Sequence, residues 1–392
     1  MKILQAVSLF YPALAFGGPA RVSYSISKEL AKRGHEITVF TTDAYDRETR
    51  LKVESSYVTI DSLRIEYFKN MIYDPRINLF IAPELVRVAK REIRQFDVVH
   101  LHDYRSFLCL ITTYYAKKCG VPYVLQAHGQ LPRIMAKRRL KWIYDVLFGY
   151  RLLRDASKVI ALNRVEAQQY RDIGVPEEKI EVIPNGIDLS EYADLPPKGD
   201  FKKKSNIDED EKIVLYLGRI HKIKGIDILT KAFADVIEKL DNVKLAIVGP
   251  DDGYLSRLEA LIRALKIEDK VLISGPLYCR DKLEAYVDAN VYVLPSRYEV
   301  WGMTVLEAYA CSKPVIASRT GGLNNLVLDG TTGLLVEAGN ATHLANSVCY
   351  LLNNDDRAEK MGLSGRNFVE DNFTIERAVS KYEKLCSEII RV

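Results

Sequence analysis

The most constraining feature of this sequence is a repeated strand–loop–helix pattern between residues 291 and 337. The apolar run Val291–Leu294 predicts a buried strand, and a polar loop and the helical stretch Met303–Ala310 follow it. A second apolar run, Pro314–Ala317, ends in the glycine pair Gly321-Gly322. Strands joined through helices pair in parallel, and their loops gather at the carboxyl ends of the strands. The pattern therefore predicts an α/β fold with a ligand site at that edge.

The same alternation extends over the whole chain and predicts two α/β domains. Strands are expected at 3–9, 36–41, 98–101, 123–127, 158–161 and 180–183, then at 213–217, 243–248, 271–273, 291–294 and 314–317. A chain of 392 residues is long enough for two or three domains. A polar, charge-segregated stretch, 195–210, predicts a surface connection near the junction. We expect domains at 1–188 and 189–372 and a helical tail at 373–392.

Composition excludes several classes of protein. No apolar run of about 18 residues is present, so no membrane-spanning helix is expected. The run Ile3–Leu9 resembles a signal peptide superficially, but Gln5, Ser8 and Pro12 favour a first buried strand. Six scattered cysteines without a C-x-x-C motif indicate reduced thiols in the cytoplasm. A net charge of +4 is too small to indicate a nucleic-acid partner.

Two carboxylates lie within the first strand–loop–helix unit. Glu299 is in the loop, and Glu307 is on the helix that follows. Backbone N–H groups at a helix start attract an anion such as phosphate. A carboxylate would repel phosphate, so Glu299 and Glu307 are better suited to accept hydrogen bonds from neutral hydroxyl groups. Phosphate together with sugar hydroxyls describes a nucleotide sugar.

This segment resembles the donor-site signature of retaining GT-B glycosyltransferases of family four, P-S-x-x-E-x-x-G-x-x-x-x-E-A. The matching residues are Pro295, Ser296, Glu299, Gly302, Glu307 and Ala308. The resemblance implies two Rossmann-like parallel-sheet domains facing an interdomain cleft, with the C-terminal tail packed back on the N-terminal domain. It also implies that Glu299 holds hydroxyls of the transferred sugar and that Glu307 holds ribose hydroxyls. The phosphate would lie against the backbone of Val300, Trp301, Gly302, Met303 and Thr304.

A second motif follows the first strand of the C-terminal half. Gly218, Arg219, Lys224 and Gly225 match the G-R-x-x-x-x-K-G pattern of the same family. A planar guanidinium and a mobile ammonium together suit a diphosphate. The resemblance assigns Arg219 and Lys224 to the negative charge that grows on the leaving diphosphate.

The glycine pair Gly17-Gly18 stands between the first strand and the first helix. Glycines at this position allow the backbone to approach a phosphate or a sugar closely. Asp43 ends the next strand where a ribose-binding acid of a dinucleotide site would lie, but the G-x-G-x-x-G pattern is missing. The pair instead resembles the family's N-terminal glycine loop, which lies against the donor diphosphate.

Three histidines stand at or beyond the ends of predicted strands. In relatives, the histidine that matches His128 touches the transferred sugar near the reacting carbon. His100 and His102, in the sequence VVHLHD, compete for a place near the sugar. We expect these two to face opposite sides of their strand, so that they do not reach one ligand together. His128 is the preferred residue, and His102 and Asp103 form a second, weaker set near the sugar or acceptor.

No cofactor is expected, and activity should not require a metal ion. Arg219, Lys224 and helix N-termini already serve the diphosphate, and no Asp-x-Asp motif follows a predicted strand. The stretch Asp208–Asp210 fits that motif but precedes a strand. Asp251-Asp252 does follow a strand, and it is the strongest argument for a metal ion.

The segment 133–154 combines basic residues with an apolar stripe. Its basic members are Arg133, Lys137, Arg138, Arg139, Lys141, Arg151 and Arg154, and its apolar members at helical spacing are Ile134, Leu140, Ile143, Leu147, Tyr150 and Leu153. Such a helix binds an anionic membrane surface, or it packs in a core with its basic face in water. Membrane-associated relatives carry such a surface on the domain that receives lipid-linked acceptors.

Taken with the resemblance, these patterns predict a cytoplasmic, metal-independent, retaining glycosyltransferase, with peripheral contact to the inner membrane face through 133–154 as an expectation. It would move a hexose-type sugar from a UDP- or GDP-sugar to a hydroxyl of a glycan or lipid-linked acceptor. Two alternatives remain open: a GT-B-fold sugar-nucleotide 2-epimerase and a non-catalytic sugar-nucleotide-binding protein.

Overall fold

The structure, a computed structural model, describes residues 1–13, 17–46, 49–53, 57–74, 79–134 and 137–390. The chain divides into two compact units. Unit 1 consists of Met1–Gly186 and Ile375–Val392, and unit 2 consists of Ile187–Thr374. The first unit thus ends at residue 186, where the sequence placed a boundary at 188, and the tail begins at 375 instead of 373.

Unit 1 alternates strands and helices from its first residues. Along the chain it contains β1 (Lys2–Ala6), α1 (Gly18–Lys32), β2 (Glu36–Thr42), β3 (Val58–Ile60), β4 (Leu63–Phe68), β5 (Ile72–Asp74), β6 (Leu79–Ile81), α2 (Glu84–Glu92), β7 (Val98–Leu101), α3 (Phe107–Cys119), β8 (Tyr123–Gln126), α4 (Arg138–Tyr144), α5 (Tyr150–Asp155), β9 (Lys158–Ala161), α6 (Arg164–Asp172) and β10 (Ile180–Val182). A π-helical turn, Asp145–Gly149, connects α4 and α5.

Eight of these strands form one sheet in the order β10-β9-β8-β7-β1-β2-β4-β3. β1 pairs in parallel with both β2 and β7, which explains why Ile3 and Leu4 are fully buried. The N-terminal apolar run is therefore a strand, as predicted, although it ends at Ala6 and not at Leu9. β3 pairs antiparallel with β4 at one edge, and β5 and β6 form a separate antiparallel pair.

Unit 2 follows the same alternation with a smaller sheet. Along the chain it contains α7 (Asp200–Lys204), β11 (Lys212–Leu217), α8 (Ile226–Ile237), β12 (Val243–Val248), α9 (Leu255–Leu265), β13 (Val271–Gly275), α10 (Cys279–Asp288), β14 (Val291–Leu294), α11 (Met303–Ala310), β15 (Val315–Ser318), α12 (Leu323–Leu326), β16 (Gly333–Val336), α13 (Ala341–Leu352) and α14 (Asp355–Asn372).

The six strands of unit 2 run in parallel in the order β13-β12-β11-β14-β15-β16. The strand order changes direction at β11, which is flanked by β12 on one side and β14 on the other. Loops that leave β11 and β14 therefore lie side by side at the carboxyl edge. In open α/β sheets this is where ligands bind.

The last helix, α15 (Ile375–Ile390), belongs to unit 1. The Arg33 guanidinium donates to the Glu383 carboxylate at 2.6 Å, and His35 Nε2 lies 2.7 Å from the other oxygen of the same group. The Tyr382 ring stacks on His100 with ring centroids 4.5 Å apart. Polar and aromatic contacts thus fix this helix to α1 and to the residues of β7.

Candidate active site

The loops that leave β11 and β14 are joined through their backbones. The N–H of Arg297 donates to the carbonyl of Ile223 at 2.8 Å. Gly225 has a φ of 68°, and a Cβ atom there would lie 1.9 Å from the carbonyl oxygen of Pro295. A side chain at position 225 would force the two loops apart. This explains the glycine that ends the G-R-x-x-x-x-K-G motif. The structure thus brings the two sequence motifs together.

Lys224 and Glu299 form an ion pair where these loops meet. Lys224 Nζ lies 2.5 Å from Glu299 Oε2, and the Ser296 hydroxyl donates to the same oxygen at 3.2 Å. Only 18% of the Lys224 side chain and 12% of the Glu299 side chain are exposed. Gly322 N–H donates to the Glu299 carbonyl at 2.9 Å, so the second glycine loop also holds this residue. An ammonium and a carboxylate are therefore available to one ligand.

Arg219 is on the same side of the sheet and is held by a carboxylate from the loop after β12. Its Nη1 atom donates to Asp252, whose side chain is largely buried, while the Arg219 side chain is 41% exposed. The neighbouring Asp251 Oδ1 accepts three backbone N–H groups, from Gly253, Tyr254 and Leu255, at the start of α9. Asp251 and Asp252 were the strongest sequence argument for a metal ion. In the structure, Asp251 binds N–H groups at the start of α9 and Asp252 orients Arg219.

Helix α11 begins at the same edge, directly after Gly302. The first N–H groups of a helix have no partner within it, and they carry the positive end of the helix dipole. The Thr304 hydroxyl accepts from Tyr292 at 2.6 Å, and the Trp301 ring packs edge-on against Phe373 with centroids 5.4 Å apart. The backbone N–H groups at the start of α11 are therefore suited to the phosphate contacts predicted along Val300–Thr304.

Glu307 lies one turn into α11 and is almost fully buried. Its Oε1 atom lies 3.1 Å from Lys282 Nζ, and its Oε2 atom accepts from the Tyr286 hydroxyl at 3.0 Å. Burial, followed by the charge of Glu307, raises the pKa of Tyr286 well above its ordinary value, so this hydroxyl remains a donor. A ribose hydroxyl would have to share these oxygens, and the ribose role of Glu307 stays a prediction.

Sequence reasoning missed Lys282 and Tyr286. Both are on α10 and four positions apart, so they share one face of that helix. This spacing was visible in the sequence, but nothing in it indicated that the face meets Glu307. Pairing between α10 and α11 depends on the crossover through β14, which only the folded chain reveals.

In unit 1, the structure brings His102 and His128 together. His102 Nδ1 lies 3.1 Å from His128 Nε2, and His102 Nε2 lies 2.7 Å from Gln5 Oε1. The expectation that His100 and His102 face opposite sides is wrong, because their ring centroids are only 3.9 Å apart. Residues two positions apart along a strand point to the same face, and only adjacent residues alternate. The histidines therefore form one cluster.

Burial is the main electrostatic effect on this histidine cluster. It lowers the pKa of His100 to about 3 and the pKa of His128 to about 3. It also lowers the pKa of His102 well below its ordinary value, and the neighbouring imidazoles reinforce this shift. All three rings are therefore neutral at pH 7, and a neutral imidazole offers one donor and one acceptor.

A buried carboxylate supports the backbone next to His128. Both His128 and Gly129 have positive φ angles, 48° and 79°. Glu166 accepts from the N–H of Gly129 at 2.6 Å and from that of Leu162 at 2.8 Å. Burial raises the pKa of Glu166 to about 7, although the two backbone donors oppose this shift. Glu166, which the sequence did not single out, thus fixes the turn that carries His128.

The other predicted residues of unit 1 are in the loops after β1 and β7. Gly17 has a φ of 101° and precedes the first residue of α1, Gly18. Residues 14–16, just before this pair, lie outside the described part of the chain. Asp103 is almost fully buried and accepts from the N–H of Ser8 at 2.7 Å. Asp103 therefore links the loop after β7 to the loop after β1.

The basic segment 133–154 has an exposed apolar face. Leu140 and Leu147 are each 62% exposed and Trp142 is 52% exposed, and Ile143, Val146 and Phe148 are exposed as well. Leu153 is buried, so only part of the predicted stripe packs in the core. Arg133 donates to the buried Asp145 at 2.8 Å, and this ion pair ties Arg133 to the protein although its side chain is 34% exposed. Residues 135–136 lie outside the described residues.

Within the described ranges, no group of three or more His, Cys, Asp and Glu side chains could hold a metal ion. In the same part of the chain, no helix combines the length and the apolar character that crossing a bilayer requires.

Two parallel-sheet α/β units, with a switch-point site formed by loops, define the class of GT-B glycosyltransferases. Residues 16–191 match the family model described as Glycosyltransferase Family 4. Residues 197–368 match the model described as Glycosyl transferases group 1. The chain belongs to this family of glycosyltransferases.

Relatives match over most of their length. N-acetyl-alpha-D-glucosaminyl L-malate synthase of Bacillus anthracis is 28% identical over 388 residues, which cover 97% of this chain and 96% of that protein. Alpha-monoglucosyldiacylglycerol synthase of Streptococcus pneumoniae is 29% identical over 345 residues, covering 86% of this chain and 75% of that protein. Their names point to different acceptors, so membership of the family does not define an acceptor.

Solved structures share the fold. Sucrose-phosphate synthase from Thermosynechococcus elongatus superposes with a TM-score of 0.82 at 25% identity, and the match covers 100% of both chains. Anabaena HepE, solved in complex with UDP-glucose, superposes with a TM-score of 0.79 at 21% identity, covering 99% of this chain and 100% of that one.

Proposed function

We propose that this protein is a retaining glycosyltransferase of the cytoplasm. It transfers a hexose-type sugar from a nucleoside diphosphate to a hydroxyl group of a glycan or lipid-linked acceptor. The observation that carries the proposal is the Lys224–Glu299 pair, joined at 2.5 Å where the loops after β11 and β14 meet. In a nucleotide sugar the diphosphate and the sugar are adjacent. The Lys224 ammonium can therefore contact the diphosphate while the Glu299 carboxylate contacts the sugar.

The proposed mechanism follows from the negative charge that develops on the leaving diphosphate. As the bond between the anomeric carbon and the phosphate oxygen breaks, negative charge grows on the diphosphate. Arg219, Lys224 and the N–H groups at the start of α11 stabilise that charge more strongly in the transition state than in the bound donor. The acceptor oxygen bonds to the anomeric carbon on the same face, and its proton passes to the leaving phosphate oxygen. No protein nucleophile is needed.

The remaining contacts position the donor. Glu307, held by Lys282 and Tyr286, accepts from the ribose hydroxyls. Contacts of Gly17 and Gly18 with the diphosphate, of His128 with the sugar, and of Asp103 near the acceptor rest on the family resemblance.

The nucleotide is UDP or GDP. The UDP-glucose complex of Anabaena HepE supports a uridine nucleotide through the shared fold. A panel of UDP-, GDP- and ADP-sugars would test this by thermal stabilisation, because a ligand that binds only the folded state raises its stability. At a hundredfold excess over Kd the gain is about 2.7 kcal/mol. If no sugar nucleotide stabilises the protein, the proposal is wrong.

Turnover of the stabilising donor separates the proposal from its rivals. A transferase releases nucleoside diphosphate in proportion to acceptor. A sugar-nucleotide 2-epimerase consumes the donor without any acceptor, and a non-catalytic binding protein consumes none. The intact set of Arg219, Lys224 and Glu299 favours catalysis over mere binding.

A lipid-linked acceptor and reversible contact with an anionic membrane surface complete the proposal. The exposed apolar residues of α4 and the π-helical turn, with the exposed cations Lys137, Arg138 and Arg139 beside them, have the composition of an interfacial helix. The diacylglycerol-based product that names the Streptococcus pneumoniae relative supports a lipid acceptor.

A further inference from the structure

A chain of two hydrogen bonds connects Gln5 in β1 to His128. Gln5 Oε1 lies 2.7 Å from His102 Nε2, and His102 Nδ1 lies 3.1 Å from His128 Nε2. Gln5 and His102 are both fully buried, so solvent does not compete for these bonds. The His102 and His128 rings are nearly parallel, at 12°.

With the Gln5 carbonyl oxygen facing His102, as the structure has it, the chemistry of the amide sets the protons along this chain. The Gln5 carbonyl oxygen can only accept, so His102 must carry its proton on Nε2. A neutral imidazole has one proton, which leaves a lone pair on His102 Nδ1. That atom can then only accept, so His128 must donate from Nε2. The single proton of His128 is therefore on Nε2, and its Nδ1 has a lone pair.

We infer that Gln5 and His102 are positioning residues that set the tautomer of His128, which then accepts a hydrogen bond at Nδ1 from a hydroxyl of the transferred sugar. This inference rests on the proposed function for the identity of the ligand. His128 is partly exposed, and within the described residues His102 is the hydrogen-bond partner that the structure gives its ring. An acceptor at Nδ1 suits a sugar hydroxyl, which must donate to it.

The surroundings maintain this arrangement. Burial lowers the pKa values of His102 and His128, so neither ring gains the second proton that would abolish the acceptor. Glu166 holds the backbone of Gly129 at 2.6 Å and so fixes the turn beside His128. His100 lies against His102 in the same cluster, at 3.9 Å between ring centroids, and is not a link in the hydrogen-bonded chain.

The first test is direct observation of the tautomer by NMR in the full-length protein with ¹⁵N-labelled histidine. Long-range ¹H–¹⁵N correlations at pH 7 distinguish a protonated ring nitrogen from an unprotonated one, and loss of signals in His128→Gln assigns them. We expect His128 to be protonated on Nε2 and unprotonated on Nδ1. The opposite tautomer, or a doubly protonated ring, overturns the inference.

The second test is kinetic. His102→Leu removes the acceptor for His128, whereas His102→Asn can present an amide oxygen in its place. We expect His102→Leu to lower kcat roughly tenfold, the effect of one lost hydrogen bond, with nucleoside diphosphate affinity unchanged. His102→Asn should retain most of the activity. His100→Phe is the matched control, because it changes a buried ring of the cluster without touching the chain, and its kcat should stay at the wild-type value.

Equal losses in His102→Leu and His102→Asn would mean that this residue acts only by packing, and would overturn the inference. An unchanged kcat in His102→Leu would mean that the tautomer set by His102 does not matter for a contact with the sugar, and would also overturn the inference. The NMR result does not depend on activity. A wild-type protein that transfers no sugar refutes the proposed function, while its resonances still report which nitrogen of His128 carries the proton.

Discussion

At the residue scale, the central contact is the 2.5 Å pair between Lys224 and Glu299. The pair keeps two largely buried charges neutral as a whole, which limits the cost of desolvating each one. A diphosphate that approaches Lys224 adds a second anion to the same ammonium, and its charge grows as the sugar leaves. In the proposed mechanism, the contact with Lys224 therefore strengthens along the reaction, and the same holds for Arg219 beside Asp252.

Replacement of Lys224 or Arg219 by Ala should therefore reduce kcat more than donor affinity. By comparison with the loss of one preorganised donor, each change should cost roughly 2.7–4 kcal/mol of activation free energy. Steady-state kinetics and nucleotide binding by calorimetry measure the two effects separately. Lys222→Ala, an exposed lysine on the same turn, is the matched control. Near-normal kcat in a folded Lys224→Ala variant would contradict the assignment.

At the element scale, the predicted strands coincide with observed ones to within a few residues. Short apolar runs such as Val243–Val248 are buried on both faces of a parallel sheet, and this leaves a strong signal in the sequence. Helix α3 was expected only from the alternation of strands and helices. Its bounds were not predicted, because its sequence, FLCLITTYYAKKC, is apolar on most sides and lacks a clear helical period. Strand β4 was also missed, since charged residues interrupt its apolar pattern.

The candidate site also contains residues that the sequence predicted and residues that it did not. Arg219, Lys224 and Glu299 were found because they are in loops with recognisable motifs. The partners that hold site residues, such as Asp252, Lys282 and Gln5, come from distant parts of the sequence, and their pairing depends on strand order. Prediction of the histidine faces failed for a simpler reason, because residues two apart along a strand share a face.

The fully buried His100 predicts a pH dependence of stability. Burial lowers the pKa of His100 to about 3, below the ordinary value of the unfolded chain, so the unfolded state binds more protons between these values. His100 therefore destabilises the fold as pH falls below about 6.5, by about 2 kcal/mol between pH 7 and pH 5. In His100→Phe, which keeps an aromatic ring against Tyr382, the loss of stability on acidification should be smaller.

Chemical denaturation of both proteins at pH 7 and pH 5 measures this difference. Burial raises the pKa values of Glu66 and Glu166 to about 7, so these groups act in the opposite sense. Their contribution to the stability of the fold is lost as pH rises through that value. Both proteins contain these glutamates, so the comparison isolates His100. An identical pH response in the two proteins would mean that His100 is protonated equally in the folded and unfolded states.

At the scale of the whole molecule, the exposed apolar and basic face of 137–148 should attach the protein weakly to anionic membranes. Each cation near such a surface contributes about 1 kcal/mol, so three cations give reversible, salt-sensitive binding. Changing Lys137, Arg138 and Arg139 together to Glu should abolish co-sedimentation with phosphatidylglycerol liposomes and leave nucleotide-sugar binding intact.

The same charge change on exposed residues of unit 2, Lys231, Arg257 and Arg263 to Glu, is the control and should leave sedimentation unchanged. Equal loss in both triple variants would indicate a general charge effect. Wild-type protein that does not bind these liposomes at low salt would point to a soluble saccharide acceptor.

Transfer by the whole enzyme should survive removal of divalent ions. In the proposed function, Arg219, Lys224 and the start of α11 supply positive charge to the diphosphate. Asp251 and Asp252 are engaged with backbone N–H groups and with Arg219. Rates measured after dialysis against EDTA should match those with added magnesium or manganese. Loss of transfer with EDTA and recovery with either metal would show that the mechanism requires a metal ion.

The proposed function is tested most directly by following one reaction in real time with ¹H NMR. The mixture contains the wild-type protein, the α-linked sugar nucleotide that stabilises it, and an acceptor. The anomeric proton signal of the donor should disappear as an α-linked product signal grows at the same rate, with an equal amount of nucleoside diphosphate released. A β-linked product would contradict retention, and consumption of the donor without acceptor, to an epimer, would contradict transfer itself.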